Sequence, residues 1–202
     1  MDAAPVHMGK SRLEAFSDGV IAILITIMVL DLKVPEGAHL GSLLPLLPVL
    51  LNYALSFVYL GIYWSNHHHM FHASERVTGA ILWANLHLLF WLSLIPFTTA
   101  WMSENHRESA PSALYGADLL LAAIAYFILQ RLIIASQGRG SLLQRAIGRD
   151  WKGKLSPLLY LAGIVAAFWS PPLAQGMYVL VALMWLVPDR RIENMLSGKS
   201  NA

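Results

Sequence analysis

The chain has 202 residues, of which 56% are hydrophobic and only 13% charged, and its mean hydropathy is +0.54; ordinary soluble domains carry roughly 25% charged residues. So few charges cannot cover a water-facing fold, so lipid must solvate most of the surface, which excludes soluble enzymes and nucleic-acid-binding modules. A net charge of +2 is too small to mark a polyanionic partner, and the absence of cysteine removes disulfides, thiolate metal sites and cysteine nucleophiles.

A bilayer core of about 30 Å needs roughly 20 apolar helical residues per crossing. Six such runs stand between charges or Pro and Gly clusters: Leu13 to Leu32, Leu43 to Trp64, Val77 to Met102, Ala113 to Ile134, Leu155 to Trp169 and Leu173 to Val187. The expected fold is an all-α polytopic membrane protein, residues 1–202 forming a single domain. The last two runs are short, with Ser170-Pro171-Pro172 between them, and read as a hairpin of two crossings or a partly re-entrant pair; six full crossings are preferred. Lys10 and Arg12 precede the first run as in a signal peptide, but Glu14 and Asp18 interrupt it and no small-residue cleavage site follows, so it is read as a retained helix.

The basic residues are sided. Under six crossings, 12 of the 14 lysines and arginines fall on one side, and only Lys33 and Arg107 on the other. The positive-inside rule then puts both termini, the histidine-rich connection after Trp64 and the connection from Ser136 to Lys154 in the cytoplasm.

The first span is unusual. Arg12, Glu14 and Asp18 lie at its start, and ionisable groups at membrane depth face protein or water rather than lipid. At about 100° per residue, Arg12, Phe16, Gly19, Ile23, Thr26 with Ile27, and Leu30 fall on one stripe, while Asp18 points roughly 140° away from Ile23. The carboxylate face would anchor the helix within its own subunit, Asp18 being buried there. On spacing alone the stripe is ordinary helix packing, with a conduit lining as the alternative.

Other polar groups are weaker signals. His67, His68, His69 and His72 follow Trp64 and Asn66, but no His-Glu-x-x-His pattern accompanies them, and an interfacial helix end explains them without metal. Trp64, Asn66 and His67 share the cytoplasmic depth of Asp18 and could supply its hydrogen-bond donors. Asn85, His87 and Asp118 are expected to pair across helices. Pro45, Pro48 and Pro96 should start or kink helices near the outer face. No Thr-Val-Gly-Tyr-Gly segment occurs, so a carbonyl filter of that type is absent.

The sequence Arg12-x-x-x-Phe16-Ser17-Asp18-Gly19-Val20, continued by Ala22-Ile23, Thr26 and Leu30, resembles the first helix of the transmembrane protein 175 family, lysosomal and bacterial potassium channels. The resemblance in length and six-helix plan extends over essentially the whole chain. It implies a homotetramer in which four copies of the first helix surround a pore; animal members fuse two such repeats and dimerise. By position, Ile23 corresponds to the narrowest hydrophobic ring, Thr26 to a hydroxyl layer one turn outward and Leu30 to a further apolar ring, which Ile27 would replace or reinforce. Arg12, Phe16, Ser17, Asp18 and Gly19 correspond to the structural signature.

The implied function is a passive potassium channel of the bacterial plasma membrane with no catalytic residues, resident metal or organic cofactor. Its partners would be potassium ions, lipid and its own copies, with no nucleic acid. The competing reading is a proton- or cation-coupled secondary transporter using Asp18; the internal symmetry such carriers show is not visible here.

Overall fold

The computed structural model describes residues 9–72, 74, 77–137 and 151–186. Among them every regular element is helical: α1 (Lys10–Leu30), a 3₁₀ segment (Leu40–Leu46), α2 (Leu47–His72), α3 (Gly79–Glu104), α4 (Ser109–Gln137), α5 (Trp151–Ala167) and α6 (Pro171–Leu186). Val187, Arg76 and all the basic residues at 138–150 and 187–202 lie outside the described residues, so the charge asymmetry stands on the sequence.

Helices therefore stand where six spans are expected. Four segments are long and apolar enough to cross a membrane: α1, Leu40–His72, α3 and α4. With 17 and 16 residues, α5 and α6 reach roughly 25 Å at about 1.5 Å per residue, short of a standard bilayer core.

The ends follow local chemistry. Pro171 opens α6, where its missing N–H costs nothing. Thr78 caps α3, its hydroxyl accepting from the Ile81 N–H at 3.3 Å. Pro96 lies buried inside α3, and Pro45 within the 3₁₀ turn that leads into α2. The second helix corrects its expected end at Trp64: it continues two turns to His72, because His67, Met70 and Phe71 extend the buried face at helical spacing and no Gly or Pro interrupts it.

Side-chain hydrogen bonds show the helix directions. Lys10 Nζ donates to the His72 carbonyl at 3.2 Å, so α1 starts where α2 ends. Ser56 meets Thr99 at 2.6 Å and His67 meets Asn85 at 2.8 Å, so α2 and α3 are antiparallel. Thr98 to Asp118, Gln175 to Ser112, and Trp185 to Ser156 continue the alternation through α4, α6 and α5. At the opposite end Lys33 pairs with Glu104 at 3.0 Å, an exposed bridge worth at most about 1 kcal/mol.

The centre of the bundle is aromatic. The Tyr178 ring lies 5.8 Å from that of Tyr115 and 6.4 Å from that of Tyr160, and the Tyr59 hydroxyl donates to the Tyr178 carbonyl at 2.6 Å. This close approach requires two glycines: a Cβ on Gly163 would sit 2.5 Å from Tyr178 Cε1, and one on Gly116 would strike the Tyr178 hydroxyl.

Candidate ion pathway

Helix α1 is packed on one side only. Leu13, Ser17, Ile21, Leu24 and Met28 are buried, at i, i+4, i+8, i+11 and i+15. On the other side Phe16, Ile23, Ile27 and Leu30 keep 53%, 57%, 44% and 80% of their surface exposed, and Arg12, Gly19 and Thr26 are exposed with them. The chain's own fold thus leaves the whole stripe uncovered. A Cβ at Gly19 would meet nothing within 4 Å, so its own subunit does not demand a glycine there.

Thr26 turns its donor inward: its hydroxyl donates to the Ile23 carbonyl at 2.9 Å. A hydroxyl has one donor and two lone pairs, so both lone pairs stay available to a cation.

The packed side is tied down by two polar contacts in the N-terminal half of α1. Trp64 Nε1 donates to Asp18 Oδ1 at 3.0 Å. Asp18 itself is half-buried, correcting the expectation of a buried carboxylate; the buried polar group of the motif is its neighbour Ser17. Ser17 donates to the Leu13 carbonyl at 2.9 Å and accepts from Asn85 Nδ2 at 2.9 Å. Asn85 Oδ1 in turn accepts from His67 Nε2 at 2.8 Å, an arrangement that fixes both the amide orientation and the protonated ring nitrogen. His67 therefore serves Ser17 through Asn85 and not Asp18, a correction to its expected role. Asn66 lines a cavity between α2, α4 and α5 and makes no hydrogen bond with Asp18. The Arg12 backbone N–H donates to the Gly9 carbonyl at 2.9 Å, and its side chain makes no hydrogen bond to a described residue.

One further expectation changes. His87 does not pair across helices: it accepts from Trp91 Nε1 at 2.9 Å, one turn along its own exposed face. The histidines at the end of α2 form a ladder, the His68 and His72 rings stacking at 6.2 Å and 22°. Among the described residues no three His, Asp or Glu side chains converge as a metal set.

Residues 12–96 match the sequence profile of the family described as the endosomal/lysosomal potassium channel TMEM175. A potassium channel of a Chryseobacterium species (strain P1-3) is 55% identical to the chain over 189 residues, covering 94% of this chain and 98% of that one. A potassium channel of Streptomyces collinus is 32% identical, with 87% and 91% covered. The chain belongs to the TMEM175 family. The crystal structure of a lysosomal potassium-selective channel TMEM175 homologue from Chamaesiphon minutus superposes with a TM-score of 0.76 at 29% identity, over 88% of this chain and 96% of that one. TMEM175 proteins are ion channels and not enzymes, so a face left open along a membrane helix is the natural place to seek the ion route.

Asn85 is the residue that motif reasoning undervalued in this TMEM175 member. Its signal was present, an amide in the middle of an apolar helix, but a lone amide does not say which of several neighbouring helices it serves.

Proposed function

We propose that the chain is a passive, potassium-selective channel of the bacterial plasma membrane, with both termini cytoplasmic, in which α1 from each of four identical subunits lines one central pore. The observation that carries this reading is the two-sided packing of α1: its Ser17 and Asp18 side is bonded to α3 and α2, while the Ile23, Thr26, Ile27 and Leu30 side is bare. The potassium-channel names of the bacterial relatives support the ion and the membrane.

In such a tetramer four Ile23 side chains form the narrowest ring. Water leaves a narrow apolar ring, and an ion crossing it loses hydration, which opposes flow until the ring widens. Thr26, one turn on, presents four oxygens whose lone pairs replace part of that hydration, and potassium surrenders its water more readily than sodium. Ile27 and Leu30 continue the apolar wall over roughly 10 Å of helix rise measured from Ile23. Phe16, Gly19 and Arg12 belong to the cytoplasmic mouth. The carrier reading of Asp18 is not favoured, because its carboxylate is engaged by Trp64 on the side away from the stripe.

Planar-bilayer recording of purified Ile23→Asn tests the reading. One substitution alters all four contributions to the ring, so unitary conductance should rise and discrimination among monovalent cations should weaken. A stable tetramer with unchanged conductance and ion preference refutes the pore-lining assignment.

A further inference from the structure

Away from the stripe, one buried group has no explanation in the pathway above. Asp118 on α4 is 3% exposed. Its Oδ2 accepts from the Thr98 hydroxyl at 3.0 Å, while Oδ1 is buried with no hydrogen-bond partner. The same Thr98 hydroxyl is shared with the Leu94 and Ile95 carbonyls, each at 3.2 Å, so even that contact is divided. A buried carboxylate with one bare oxygen and no cation beside it is among the costliest groups a bundle can hold, whereas a neutral carboxyl is tolerated.

The surroundings place water-sized space on the same face of α4. Asp118, Ala122, Tyr126 and Gln130 recur every four residues on one face of α4. Farther along that face Tyr126 and Gln130 border a cavity of about 50 Å³. Tyr63 from α2 and Ser156 from α5 also line it. A water needs roughly 10–15 Å³ of such space and two to four polar partners, so the cavity has room and ligands for a few waters. The titratable groups acting with Asp118 are Tyr63 on α2 and Tyr115 on its own helix; α3 offers Thr98. Tyr63 thus lies within electrostatic reach of the carboxyl, without a hydrogen bond to it, and also on the cavity wall.

We infer that Asp118 is a proton-binding site inside each subunit, separate from the α1 stripe, that carries its proton on the bare oxygen. On release the Asp118 O–H bond breaks and a water takes the proton, leaving one negative charge on the carboxylate and one positive charge on the water. The return step reverses this transfer, and no electron moves.

The test uses the full-length protein in liposomes, with D₂O as the probe. At mildly alkaline pH, infrared spectra of the wild type should contain the carbonyl stretch of a protonated carboxyl, shifting on transfer to D₂O, and Asp118→Asn should lack it. Tyr63→Phe removes a hydroxyl that makes no hydrogen bond to Asp118, so it should keep the band. Potassium-over-sodium selectivity should be the same in Asp118→Asn as in the wild type. Absence of the band, its survival in Asp118→Asn, or altered ion selectivity in that variant overturns the site. A band that does not shift in D₂O, or that is lost in Tyr63→Phe, overturns the site as well. Should Asp118→Asn fail to fold, the wild-type band and the Tyr63→Phe comparison still decide, since neither needs that variant.

Discussion

Thr26 holds the one hydroxyl on the uncovered face of α1 between Phe16 and Leu30, and its proton is committed to the Ile23 carbonyl. Thr26→Val keeps the branched shape and removes only the oxygen. Bi-ionic reversal potentials should show the potassium-over-sodium preference falling toward unity in a protein that still folds; unchanged potentials would place selectivity elsewhere. Asn85 is the opposite kind of residue, buried and bonded on both sides. Asn85→Ala strips the His67 N–H and the Ser17 oxygen of their partners. Interhelical hydrogen bonds in bilayers average about 0.6 kcal/mol each and a buried unsatisfied donor costs about 1–3 kcal/mol, so the expected loss is roughly 2 kcal/mol. Thermal unfolding in detergent measures it, with His87→Phe as the near-neutral control, because His87 is exposed and bonds only within its own helix.

Among the helices, the joint of α4, α5 and α6 depends on Tyr178 lying against glycine. Gly163→Ala places a methyl where Tyr178 Cε1 lies at 2.5 Å; the ring cannot retreat, being held by the Ser112 carbonyl at 3.1 Å through its hydroxyl. Overpacking of this kind costs about 1–3 kcal/mol, and the melting temperature should drop accordingly. Gly176→Ala is the matched contrast: a Cβ there meets nothing within 4 Å, and alanine is favoured over glycine in a helix by up to about 1 kcal/mol, so the same measurement should show no loss. Equal effects at both positions would mean that Tyr178 packing does not set the joint. The length of α2 follows the same logic of contact, since its last two turns are held by Met70 and Phe71 in the core.

For the whole molecule, the proposed channel requires that α1 be fixed to its subunit on one side and be shared among subunits on the other. Asp18→Asn weakens the first requirement by removing the charge that receives the Trp64 N–H, and charge-assisted hydrogen bonds are roughly twice as strong as neutral ones. Tetramer yield on size exclusion should therefore fall, while the conductance and selectivity of those channels that do assemble stay as in the wild type. A fully assembled mutant with altered selectivity would move Asp18 into the ion route.

Membrane character, the helices among the described residues and the stripe on α1 were legible without coordinates, because hydropathy and the 3.6-residue repeat are properties of neighbouring residues along one chain. The same periodicity separated Ser17 and Asp18 from Ile23, Thr26 and Leu30, and the folded chain leaves the second set bare while burying Ser17 and half-burying Asp18. What the periodicity could not supply was the identity of each partner. Ser17 and Asn85 are 68 positions apart, and Trp64, Asn66 and His67 all stand at a depth from which they could reach Asp18. The rotation and axial offset of α2 and α3 sent Trp64 to Asp18, His67 to Asn85 and Asn66 to the cavity. The unpaired oxygen of Asp118 and the aromatic centre around Tyr178 likewise arise only where several helices meet, because a hydrogen bond or a packed ring is decided by a few tenths of an ångström in interhelical register.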